Sequence, residues 1–74
     1  MIENENVAAS VNNKLHSCYR LLEESIWEVN KHCSEEQAKA YRQKVTNIFS
    51  ILVFELMEPL YEAHPKLKPP DWDS

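Results

Sequence analysis

The chain has 74 residues, twelve acidic against eight basic side chains for a net charge of −4, and no glycine. That length allows one domain, close to the lower size limit at which a single core holds itself together. The missing glycine argues against Gly-rich phosphate-binding loops and tight β-hairpins, and the acidic balance argues against a surface built to grip nucleic-acid phosphates.

The first ten residues, MIENENVAAS, carry neither a positive region nor a long apolar segment, so no secretory signal is expected. Residues 5 to 31 place Ala8, Val11, Leu15, Cys18, Leu22 and Val29 at alternating spacings of three and four. Ser25 fills the one gap, with Ile26 beside it. This pattern predicts a helix with a narrow inward stripe, and it leaves Asn12, Asn13, Arg20, Glu23, Glu24 and Glu28 off that stripe.

The chain then punctuates itself. Ser34 followed by Gln37 has the spacing of a capping box, in which the serine hydroxyl and the glutamine amide each satisfy an otherwise orphaned backbone N–H. Glu35 and Glu36 supply negative charge to the first turn of the coming helix, and Lys31 and His32 supply positive charge to the end of the preceding one.

A second helix is predicted over residues 35 to 63, with Ala38, Tyr41, Val45, Ile48, Leu52 and Leu56 facing inward. Pro59 donates no N–H and its ring crowds the carbonyl of Glu55, which predicts a kink or a local restart. The run NIFSILVFELM would also suit a strand, but no turn separates it from EEQAKAYRQK and no second strand exists to pair with it. It is about half the ~20 residues of a membrane-spanning helix, and Glu55 interrupts it, so the expected location is cytoplasmic. After His64-Pro65, residues 66 to 74 read as an extended tail, because Pro69-Pro70 favours polyproline-like geometry.

Residues 1 to 65 therefore predict an all-α fold, an antiparallel two-helix hairpin with a kinked second helix. One neighbouring helix cannot cover the second helix, because apolar residues wrap most of its cylinder. Leaving them in water forfeits about 1.5–3 kcal/mol for each side chain. The economical solution is a second copy, a homodimer forming a four-helix bundle through Ile48, Phe49, Ile51, Leu52, Val53, Phe54 and Met57, with a different protein offering an equivalent groove as the alternative.

No chemistry-bearing motif emerges. In an antiparallel hairpin His16, His32, His64, Cys18 and Cys33 are spread along the bundle, so no metal site is expected. Glu28 and His32 lack the paired Glu-x-x-His motifs of a di-iron bundle. Cys18 and Cys33 would lie about 22 Å apart at 1.5 Å per residue, beyond the ~7 Å that a disulfide allows. No catalytic residue and no cofactor are expected.

The sequence points instead to a small non-enzymatic interaction module, a regulator, adaptor or inhibitor of a larger protein. Its candidate contacts are Arg20, Trp27, Leu67 and Trp72. Leu67 and Trp72 are expected first to fold back onto apolar surface, with docking to a partner as the alternative, and Trp27 either covers the tail or a second subunit or binds a partner. The alternative function is a nucleic-acid-binding accessory protein using Lys31, Lys39, Arg42 and Lys44 near the turn.

Overall fold

The computed structural model describes residues 2 to 72, and among them it contains helices and no strand. Helix α1 spans Glu5–His32, α2 spans Glu35–Ile51 and α3 spans Glu58–Ala63. Leu52–Met57, between α2 and α3, is π-helical, so the backbone stays helical without a break from Glu35 to Ala63. Pro65–Leu67 then makes one turn of 3-10 helix.

Local chemistry sets each end. Asn4 caps α1, its side-chain oxygen accepting from the Val7 N–H at 3.0 Å. Lys31 and His32 occupy the last turn, and Cys33 is extended. The capping box is present at α2: the Gln37 N–H donates to Ser34 Oγ at 3.2 Å, and the Ser34 N–H donates to Gln37 Oε1 at 3.3 Å. With only Cys33 and Ser34 between them, α1 and α2 form a helical hairpin.

The second helix departs from the expected register. Pro59 was expected to cause a kink or a local restart, and a restart is what is seen: the helix widens over Leu52–Met57 and α3 begins anew at Glu58. The Glu58 N–H bonds to the Val53 carbonyl, five residues back, and Pro59 sits in the first turn of α3. In the first turn of α3 the proline's missing N–H is one that the helix would leave unpaired anyway. The wider turn inserts one residue into the apolar stripe. Leu52 is followed inward by Met57 instead of Leu56: Met57 is 2% exposed and Leu56 is 37% exposed. Leu60 and Tyr61 follow Met57 into the core.

Further expectations need correcting. Cys18 and Ile48, assigned to the inward stripes, are both exposed, because each lies at the flank of its stripe and the facing helix covers only the centre. Asn12, placed off the stripe by its polarity, is buried. The tail is not extended, because its prolines, with φ fixed near −65°, suit turns as well as polyproline geometry. After the 3-10 turn, the Trp72 N–H donates to the Pro69 carbonyl at 3.0 Å. Its last two residues, 73 and 74, lie outside the described residues.

The molecule measures 44 × 20 × 17 Å, one long helix in length and a single layer thick. Its radius of gyration is 14.6 Å, against roughly 11 Å for a compact domain of this length. The buried core is correspondingly short: Ala8, Ala38, Val45, Leu52, Met57, Leu60 and Tyr61.

The inserted residue makes a direct prediction. Met57→Ala should lower unfolding free energy by about 2–5 kcal/mol, and Leu56→Ala by only about 1 kcal/mol. Denaturant midpoints measure both, and a continuous α-helical register would give the reverse order.

Candidate interaction surface

A single-layer hairpin has two broad sides, and the contacts between helices identify them. On the first side Tyr19 stacks on Phe49 with ring centroids 4.3 Å apart, and the Arg42 guanidinium donates to Asn30 Oδ1 at 2.7 Å. The tail folds onto this side. Leu67 and Trp72 pack against the cluster of Leu52, Met57 and Tyr61, with Leu15, Tyr19 and Val53 around it. Trp72 meets Tyr61 edge-on at 5.0 Å. A groove of about 440 Å³ remains between His16, Tyr19, Val53, Met57 and the Pro69–Trp72 turn.

Beneath the tail lies a polar cluster. The Tyr61 hydroxyl donates to Asn12 Oδ1 at 2.6 Å, and His16 Nε2 lies 2.9 Å from the same hydroxyl oxygen. The phenol has one proton and spends it on Asn12, so His16 Nε2 is the donor in the second contact. Burial pushes the Tyr61 hydroxyl above the usual tyrosine range. The cluster thus ties the middle of α1 to α3 through a neutral phenol. His64 adds a second tie by donating from Nε2 to the Ile2 carbonyl at 2.6 Å. Among the described residues, Trp72 Nε1 is buried without a hydrogen-bond partner.

The second side is bare. Ser25 Oγ lies 2.7 Å from the Tyr41 hydroxyl, so both residues border it. Steps of three and four from Ser25 along α1 reach Leu22, Cys18, Lys14, Val11 and Val7; the same steps from Tyr41 reach Lys44, Ile48, Ile51 and Glu55. Ile48 is 47% exposed and Ile51 54%. Val7 and Cys18 are exposed as well, and Leu21 stands beside them.

The residues expected to form a dimer interface divide by register. Ile48, Ile51 and Phe54 are exposed, Phe54 on the outer surface of the second helix at 65%. Phe49 and Val53 are half-buried against Tyr19 and the tail cluster. Leu52 and Met57 are taken up by the chain's own core.

Of the candidate partner contacts, Trp27 is 73% exposed, while Leu67 and Trp72 are occupied within the chain. Arg20, one turn from Glu24, pairs with it at 3.6 Å, both side chains largely in solvent. Such a pair contributes little to stability. In the turn-end basic group Lys31, Lys39 and Lys44 are exposed, and Arg42 is engaged by Asn30.

Glu55, the one charge inside the apolar run, is exposed. Cys18 and Cys33 are free thiols. Among the described residues no three His, Cys, Asp or Glu side chains gather closely enough to hold a metal ion, and no helix is long and apolar enough to cross a membrane. No family model, curated protein or solved structure matches the chain.

The tail contacts predict unequal roles for the two tryptophans. Trp72→Ala should cost about 2 kcal/mol of stability, whereas Trp27→Ala should change it by less than about 0.5 kcal/mol. Thermal or denaturant unfolding distinguishes them.

Tyr61 predicts a loss of stability in alkali. Its folded-state pKa is raised, so its contribution is complete below the ordinary tyrosine value of about 10 and is lost as pH rises through the raised value. Melting temperature measured from pH 8 to 11 should therefore fall more steeply in the wild type than in Tyr61→Phe.

Proposed function

We propose that this chain is a small non-enzymatic protein-interaction module that acts as a homodimer, two hairpins associating into a four-helix bundle, and serves as a regulator, adaptor or inhibitor of a larger protein. The observation that carries this reading is the bare side of the hairpin. Ile48 and Ile51 stand about half in water on a chain too elongated to fold over them. Covering the exposed half of each is worth about 1 kcal/mol for each side chain. A second copy supplies that burial without requiring any other gene product.

Partner contact then falls to surface outside the dimer. Trp27 is the best-placed anchor, a large exposed aromatic with an arginine two turns away on the same helix. The nucleic-acid reading has less support, because Arg42 of the basic group is held by Asn30 and the chain is acidic overall.

Three measurements test the proposal. Sedimentation at micromolar concentration should show a dimer; a stably folded monomer overturns the self-association. Affinity capture with the wild type should retain one protein partner, with Trp27→Ala weakening that capture by about tenfold or more. A salt-sensitive mobility shift with DNA or RNA, with no protein captured, would favour the alternative.

A further inference from the structure

The exposed stripe of the second helix reads Lys44, Ile48, Ile51, Glu55, with spacings of four, three and four. Both charged residues are exposed, and both isoleucines are about half exposed. The π-helical turn starting at Leu52 rotates the chain less per residue, so Glu55, four positions after Ile51, comes round nearly in line with it.

This stripe is symmetric about the midpoint between Ile48 and Ile51. Reversing its direction exchanges Lys44 with Glu55 and Ile48 with Ile51. In an isologous two-fold contact, residue i meets residue j and j meets i. A second copy lying antiparallel along the stripe therefore sets isoleucine on isoleucine at the centre. At each end a Lys44 faces the second copy's Glu55. A parallel copy sets lysine on lysine and glutamate on glutamate.

The charge distribution along the hairpin agrees. Residues 19 to 49, the turn half, carry five basic and five acidic side chains; residues 2 to 18 and 50 to 72, the open half, carry three basic and six acidic. Parallel stacking lays the two acidic halves on each other, whereas antiparallel stacking lays each on a neutral half that contains Lys31, Lys39 and Lys44.

We infer that the bare side is a self-recognition surface specific for an antiparallel second copy, centred on Ile48 and Ile51 and held in orientation and register by two symmetric Lys44–Glu55 ion pairs between copies. This rests on the homodimer reading above and adds to it the surface, the orientation and the residues that discriminate. The isoleucines supply apolar burial, and the flanking charges penalise the parallel alternative.

Charge exchange in the full chain tests it, read by sedimentation at about 50 mM salt with helicity followed by circular dichroism. Lys44→Glu alone and Glu55→Lys alone each turn both ion pairs into repulsions. Each should raise the dimer dissociation constant about tenfold or more. The double variant Lys44→Glu/Glu55→Lys restores opposite charges across the contact and should return to within about threefold of the wild type. Raising the salt to about 0.5 M should narrow the differences between all four proteins.

Single variants that dimerise like the wild type, or a double variant that stays as weak as the singles with helicity intact, overturn the antiparallel pairing while leaving the homodimer reading in place. A wild type that is monomeric throughout overturns both.

Discussion

Pro59 has no N–H to give the helix, and much of the molecule is arranged around that missing donor. The backbone responds before the proline is reached, closing the turn from Glu58 back to Val53 instead of to Phe54. One residue is thereby added to the inward spacing, and every later side chain turns with it. Met57, Leu60 and Tyr61 enter the core as a consequence. Tyr61 then places its hydroxyl between Asn12 and His16, and its ring under Trp72. The polar tie between helices and the docking of the tail both depend on this register.

The same arrangement makes the two sides of the hairpin unequal. On one, Tyr19–Phe49 stacking and the folded tail cover the apolar surface. On the other, none of the described residues covers Ile48 and Ile51, which remain in contact with solvent. A single layer of helices encloses little, and small domains generally need some supplement to their core. The tail supplies part of it. Its ring packs on the core, while the indole N–H of Trp72 is buried with no acceptor among the described residues. In the proposed dimer, the second copy supplies the rest.

The hairpin itself was legible because its signals are local. Spacings of three and four run unbroken through residues 8 to 29, and Ser34 with Gln37 announces the second helix by hydrogen-bond chemistry alone. The register after Leu52 was not legible, because counting by 3.6 carries Leu56 inward and cannot register a turn closed at five. The proline gave the right neighbourhood and the restart of the helix at Glu58, but not the wider turn that precedes it. Asn12 was misplaced for a different reason: polarity argues for solvent until a partner is known, and that partner, Tyr61, lies 49 positions away. Of the interaction surface, the excess of apolar residues was visible in composition; Ile51 and Phe54 are exposed, and so is Ile48, which the spacing had turned inward. Their neighbours Leu52 and Met57 could be assigned to the chain's own core only once the inserted residue was known.

The central claim is that the bare side of the hairpin closes on a second copy of itself. Methyl-labelled isoleucine resonances, followed in the presence of a soluble nitroxide as protein concentration is lowered, test it most directly. The account predicts that the methyl groups of Ile48 and Ile51 are shielded from the nitroxide at high concentration and become broadened on dilution, while helicity is retained. Equal broadening of both at every concentration would mean that the bare side stays in water, and would contradict the claim.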